Sequence, residues 1–299
     1  MTRRSLIGSS AAAAFLASSS SSLSHAEGTR LPIKKGLLWS MLPAKLSPLE
    51  KFQMLKACGF DEMECQTTAD QAAAEAILAA SKQTGVRIHS VMNMDHWRYP
   101  LSSNSRADVD RCIAGMETSI RNAKLWGADS VLLVPGVVNP EVQYSQVWER
   151  SQKEIKRMLP LAKEQKVIIA VENVWNKFLL SPMEFVRYVD DFKSPYVRAY
   201  FDAGNILLYG FPQDWIRTLG PRIVKIHLKD FKFKGDPSVR GRSNADWVNL
   251  RDGMMDWKAV HKALGEIGYK GTMTVELNGG DETYLKDVSS RFDMILNGE

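Results

Sequence analysis

The sequence predicts a closed (β/α)8 barrel in a single domain, and three observations predict it. Short apolar runs rich in β-branched residues alternate eight times with longer amphipathic stretches over about 265 residues, near the length that such a barrel requires. Four of the runs follow a glycine placed where a helix would end: Cys58-Gly59-Phe60, Thr84-Gly85-Val86, Trp126-Gly127-Ala128 and Ile267-Gly268-Tyr269. The first run leads into Trp39-Ser40-Met41-Leu42-Pro43. That is unlike the glycine-rich phosphate turn that an open doubly wound sheet wants there.

Strand one is expected over Gly36–Trp39, and Ser47-Pro48-Leu49-Glu50 then reads as a capping box with proline at the first helical position. Strand two, Phe60–Cys65, follows Gly59, and its helix starts near Ala69. Strand three, Arg87–Val91, precedes a helix from near Ser105; strand four, Ser130–Val134, precedes one from near Tyr144. Strand five, Val167–Val171, is an unbroken apolar run, and Ser181-Pro182-Met183-Glu184 opens the next helix as Ser47 does. Strand six, Val197–Phe201, leads to a helix near Pro212. Strand seven, Ile223–Leu228, is followed by a long basic segment, 231–252, holding Arg240, Arg242 and Arg251, which reads as a surface loop or a lid. A helix from near Asp256, strand eight over Thr272–Leu277 and a helix from near Asp281 complete the set.

Residues 1–26 read as a removable leader. Arg3-Arg4 precede an uncharged run of small and apolar residues that ends at Ser24-His25-Ala26, the form of a twin-arginine-type signal peptide. The mature chain, 27–299, is then expected to be exported to the periplasm. The leader's apolar core is too short to span a bilayer, and no later segment is apolar enough, so no membrane partner is expected. Without Arg3 and Arg4 the formal charge falls from +5 to +3, too small a surplus to imply nucleic acid. Cys58, Cys65 and Cys112 form neither a CxxC pair nor an even set, and read as small buried hydrophobes.

In such a barrel the chemistry lies where strands end, so polar residues at the ends of apolar strands are the candidates. Four consecutive strands end in Glu172, Asp202, His227 and Glu276. Parallel strands lie about 4.8 Å apart, which lets four neighbouring ends converge on one ion. Three carboxylates and an imidazole suit Mn²⁺, Mg²⁺ or Co²⁺, with Mn²⁺ the expected cofactor, better than they suit structural zinc.

The segments Val171-Glu172-Asn173, Phe201-Asp202-Ala203-Gly204-Asn205, Ile226-His227-Leu228-Lys229-Asp230 and Val275-Glu276 resemble the xylose isomerase-like TIM-barrel superfamily. Within it, the chain is similar to the sugar isomerase/epimerase family that includes tagatose 3-epimerase and hydroxypyruvate isomerase. Leu250-Arg251-Asp252-Gly253-Met254-Met255-Asp256-Trp257 is similar to the family's L-G-E-G-x-x-D-W stretch, with Arg251 for the usual Gly and Asp252 for the usual Glu. The resemblance implies metal ligands at Glu172, Asp202, His227 and Glu276, with Glu172 and Glu276 also serving as the acid–base pair. It further implies a homodimer or homotetramer acting on a small carbohydrate.

A divalent ion chelating a carbonyl and its neighbouring hydroxyl acidifies the C–H between them, and carboxylates on either side can move that proton. The expected reaction is isomerisation or epimerisation of an unphosphorylated sugar or keto-sugar through an enediolate. The alternatives are β-elimination from a 3-keto-glycoside and a non-catalytic sugar-binding barrel. An endonuclease-like reading fails on its histidines, since only His89, His96, His227 and His261 follow the leader. Two family positions differ: Asn205 stands where the epimerases carry His, and Phe233 where they carry Arg. Expected substrate contacts are Glu64, His89, Trp39, Trp175, Asn205 and Lys229, with Trp97 and Trp175 as apolar platforms.

Overall fold

A computed structural model describes residues 30–235 and 241–299. The expected leader and Arg240 lie outside the described residues. The eight expected strands form one parallel, closed ring. In chain order they are β1 (Lys34–Leu38), β2 (Glu62–Gln66), β3 (Arg87–Met92), β4 (Ser130–Leu133), β5 (Ile168–Glu172), β6 (Val197–Asp202) and β7 (Ile223–Leu228). An inserted pair, β8 (Asp230–Phe233) and β9 (Ala245–Val248), precedes the last barrel strand, β10 (Thr272–Val275). Pairing of β1 with β10, Lys34 opposite Thr272, closes the ring.

The helices outside it are α1 (Pro48–Ala57), α2 (Gln71–Thr84), α3 (Arg106–Trp126), α4 (Tyr144–Gln165), α5 (Pro182–Asp190), α6 (Ala203–Ile206), α7 (Pro212–Leu219), α8 (Trp257–Glu266) and α9 (Glu282–Leu296). Their start and stop signals act as local chemistry dictates. Ser47 and Glu50 make both halves of the capping box. At α5 only half forms: Ser181 accepts the Glu184 N–H at 3.2 Å, while the Glu184 carboxylate takes the Tyr144 hydroxyl at 3.0 Å and ties α4 to α5. Gly59, Gly85, Gly127 and Gly268 all have φ between 65° and 81°, where a side chain would be strained. The three cysteines are buried. No helix among the described residues is long and apolar enough to cross a membrane.

Three local expectations need correction. Helix α2 begins at Gln71 rather than near Ala69, because the Asp70 carboxylate caps it by accepting the Ala73 N–H. A single extra turn, α6, follows Asp202, whose carboxylate caps it. The basic segment 231–252 contains an antiparallel ribbon, β8 against β9, with Phe231 opposite Trp247. Strands of only four residues, Asp230–Phe233 and Ala245–Val248, leave too weak an alternation to read.

Asp230, the first residue of that ribbon, explains the stretch Leu250–Trp257. Its carboxylate is wholly buried and accepts the backbone N–H groups of Phe231, Arg251, Gly253 and Met255 and the indole N–H of Trp257, at 3.0 to 3.2 Å. A Cβ on Gly253 would strike this carboxylate, so the glycine is a steric requirement. Arg251 sits at φ 72°, in the left-handed region that glycine enters without strain. A non-glycine residue in that region costs about 1–2 kcal/mol. Arg251→Gly is expected to stabilise the fold by about 0.5–1 kcal/mol, read as a higher urea midpoint at unchanged slope. A lower midpoint would mean that the arginine's packing outweighs its backbone strain.

Candidate metal centre and active-site cavity

Each of the four expected ligands is set by its strand. Glu172 and Asp202 are the last residues of β5 and β6, His227 lies one residue before the end of β7, and Glu276 directly follows β10. Their ligand atoms all lie within 4.8 Å of one another. Asn173 laces the first two ends together: its side chain accepts the Asp202 N–H at 2.9 Å and donates to the Asp202 carbonyl at 2.8 Å.

His227 is gripped on both ring nitrogens. Nε2 lies 2.8 Å from Glu64 Oε2, while Nδ1 lies 2.9 Å from Glu172 Oε1 and 3.0 Å from Glu276 Oε2. The Tyr200 hydroxyl donates to the same Glu64 oxygen at 2.7 Å. A carboxylate on the far nitrogen is the usual device for presenting the near one to a metal. Lys229 reaches across the opening, its Nζ 2.8 Å from Asp202 Oδ2 and 2.7 Å from Glu276 Oε2.

The electrostatics follow from burying three carboxylates together. Burial pushes Glu172 up to about 7, with Glu276 and Asp202 adding to it and His227 opposing. Burial likewise raises Asp202 against the pull of Lys229. For Glu276 burial is outweighed by the charges of Lys229 and His227, which hold it well below the usual carboxylate range. Burial disfavours the His227 and Lys229 cations, yet the surrounding carboxylates raise both. The cluster therefore draws positive charge from every group within reach. A mostly oxygen donor set with one imidazole, crowded to this density of negative charge, fits a divalent cation, whose binding would displace the proton on His227.

Above the cluster is a cavity of about 230 Å³. Glu172 and Glu276 line it, together with Trp175, Asn205 and Lys229, three of the six expected substrate contacts. The other three lie elsewhere. Glu64 is wholly buried beneath His227, and His89 is wholly buried with its Nε2 2.9 Å from the Thr274 hydroxyl. Trp39 packs edge-on to Phe52, 6.3 Å between centroids, with Lys51 over its face. Residues one step too deep in the strand point into the barrel core instead of its mouth, and strand reading alone does not resolve that step.

Seven cavity residues escaped the sequence argument as substrate contacts: apolar Met92, Met94 and Val174, and Asn93, His96, Arg242 and Trp247, which carry polar or aromatic groups. His96 carried a usable signal, since Asn93-Met94-Asp95-His96-Trp97 directly follows an apolar strand. Trp247 and Arg242 carried none, because the inserted segment shows too little pattern to place. The ribbon stacks Trp247 on Trp175 at 5.2 Å and 27°, and Arg242 lies over the Trp175 ring at 6.0 Å. Lys229, expected as a substrate contact, is 9% exposed.

A closed parallel barrel with this cluster at the C-terminal ends of its strands defines a TIM barrel with a candidate metal centre at its mouth. The chain belongs to the xylose isomerase-like TIM barrel family, whose profile matches residues 52–292. It is 29% identical over 259 residues to SgbU of Escherichia coli (strain K12), provisionally named an L-ribulose-5-phosphate 3-epimerase, covering 81% of this chain and 87% of that one. To UlaE of Escherichia coli O1:K1 / APEC, named L-ribulose-5-phosphate 3-epimerase, it is 26% identical over 256 residues, 82% and 87% of the two chains. In fold it is similar to a D-tagatose 3-epimerase-like protein, with TM-score 0.74, 17% identity and coverage of 88% and 98% of the two chains. The 3-keto-D-glucoside 4-epimerase YcjR from E. coli superposes with TM-score 0.71 at 14% identity and the same coverage.

Proposed function

We propose that this chain is a divalent-metal-dependent sugar isomerase or epimerase acting on an unphosphorylated sugar or keto-sugar. The observation that carries the reading is the placement of Glu172 and Glu276: both belong to the ligand cluster and both line the cavity. Glu172, Asp202, His227 and Glu276 would hold a divalent ion, for which Mn²⁺ suits the donor set, and the ion would supply Lewis-acid polarisation of a carbonyl and its neighbouring hydroxyl. The two glutamates then work as base and acid, one taking a proton from carbon and the other returning one. Glu172 lines the cavity as well as the cluster, so its carboxylate can reach a carbon-bound proton of a substrate held there. Lys229 holds Glu276 and Asp202 in place between them.

The walls support the substrate class. Met92, Met94, Trp97, Val174, Trp175 and Trp247 offer apolar and aromatic faces suited to the C–H surface of a sugar. The cations lining the cavity among the described residues are Lys229, already paired with two carboxylates, and Arg242 at the exposed rim. The paired arginines of the leader support export, where unphosphorylated sugars are the available ligands.

The test is solvent exchange. The chain from Glu27, loaded with Mn²⁺ in D₂O, is incubated with free ketoses, 3-keto-glycosides and L-ribulose 5-phosphate and followed by NMR. Deuterium beside the carbonyl of an unphosphorylated sugar is the expected result, abolished by a chelator and restored by Mn²⁺. Exchange with the phosphorylated ketose alone would overturn the substrate class. An unsaturated product would make the protein a lyase.

A further inference from the structure

The cavity holds one buried group that the proton-transfer scheme leaves unused. His96 is 3% exposed and lines the cavity with Glu172 and Glu276. Its position is dictated from two sides. The Asn93 side-chain oxygen accepts the backbone N–H groups of Asp95 and His96, at 2.8 and 3.0 Å, folding the end of β3 into a tight Asx turn. The backbone N–H of Val134, the residue after β4, donates to His96 Nδ1 at 3.2 Å.

That last bond decides the chemistry of the ring. A backbone N–H can only donate, so Nδ1 must present its lone pair, and the proton of the neutral imidazole resides on Nε2. A second proton would have to enter at Nδ1, facing another N–H, so the imidazolium is excluded by geometry. Burial acts in the same direction and lowers the group to about 3, although Glu276 pulls it upward. No protein partner takes the Nε2 proton among the described residues.

We propose that His96 is a neutral hydrogen-bond donor whose Nε2–H stabilises the oxygen that becomes negatively charged when Glu172 or Glu276 removes the carbon-bound proton. The proposal rests on the isomerase/epimerase reading above. The step balances: the carbon proton passes to a glutamate, the C–H electron pair becomes the C=C bond, the carbonyl π pair moves onto oxygen, and His96 donates to that oxygen without losing its proton. A donor fixed before the reaction needs no rearrangement as the charge forms. A neutral imidazole also leaves the charge balance of the ligand cluster untouched, which a cation in its place would not.

Two variants separate this role from a structural one. In His96→Asn the amide oxygen can still accept from Val134, but nothing donates at the Nε2 position. In His96→Gln the amide reaches that position and the Val134 contact is lost. The Asn variant is expected to lose about a hundredfold in the rate of C–H exchange, at nearly unchanged KM, melting temperature and metal content. The Gln variant is expected to recover part of the loss despite lower stability. Exchange by the Asn variant within threefold of the parent overturns the proposal, as does a Gln variant slower than Asn.

A second pair of measurements keeps the donor role separate from the activity. In ¹⁵N-histidine NMR, His96 is expected to show a bare Nδ1 and a protonated Nε2 from pH 5 to 9; a protonated Nδ1 overturns the proposal. Binding of a planar sugar hydroxamate, an enediolate mimic, is expected to weaken about a hundredfold in His96→Asn, and equal binding overturns it. If no sugar undergoes exchange but the hydroxamate loss is seen, the isomerase reading fails while the donor role stands.

Discussion

Glu276→Gln is expected to slow C–H exchange about a thousandfold, the usual worth of a positioned base, while the protein still folds and takes up metal. Glutamine keeps one oxygen that can face the ion but cannot hold the transferred proton. Two neighbours register the lost charge: Lys229 Nζ, 2.7 Å from Glu276 Oε2, keeps an anionic partner only in Asp202, and His227 Nδ1 keeps one only in Glu172. Metal affinity should therefore fall as well, so metal content is measured beside the rate and the comparison made at saturating Mn²⁺. Glu172→Gln should behave alike, and the double variant should be scarcely worse than either single one, because the pair acts as a unit. A rate within tenfold of the parent at full metal occupancy would remove Glu276 from the chemistry.

Asp230→Ala is expected to be the most damaging change outside the cluster, costing about 3–5 kcal/mol. It removes one side chain and strands five donors, four backbone N–H groups and the Trp257 indole. At about 2–4 °C per kcal/mol for a domain of this size, the melting temperature should fall by roughly ten degrees. The damage should also reach the cavity, because Asp230 anchors both the start of the ribbon and the segment after it, and that ribbon carries Trp247. KM should rise more than kcat falls. Asp230→Asn, which keeps one acceptor oxygen, should lie between parent and alanine. A drop of only one or two degrees for the alanine variant would show that water replaces the carboxylate at this point.

The barrel and the ligand cluster were legible because each leaves a mark that does not depend on depth. Alternation, capping boxes and helix-ending glycines are local, and Glu172, Asp202, His227 and Glu276 repeat one event, a ligating side chain at a strand end, on four consecutive barrel strands. Glu64 and His89 obey the same rule a layer lower, so the sequence could not distinguish a residue that meets the ligand from one that braces His227 or bonds to Thr274. The Leu250–Trp257 stretch was recognisable as a pattern, but its cause, five donors closing on Asp230, is a tertiary fact. The inserted ribbon was invisible because its strands are four residues long and half exposed. His96 shows a third kind of gap: its proposed role comes from which nitrogen bears the proton, and that is set by the backbone of Val134, just past the next strand.

The order of strands around the ring has a bearing on how such a protein can change. The ligands come from β5, β6, β7 and β10, an unbroken arc on one side. The loop after β3, with Asn93, Met94, His96 and Trp97, faces them from the other side, and the ribbon between β7 and β10 adds Arg242 and Trp247. On the proposed function, one arc would be constrained by the geometry of an ion, and any loss there would end the reaction. The other surfaces are bound only by the shape of whatever enters. New specificities can thus be acquired by exchanging the β3 loop or resizing the ribbon while the reacting arc is inherited intact, and a library confined to those two segments would sample substrates without having to rediscover the chemistry.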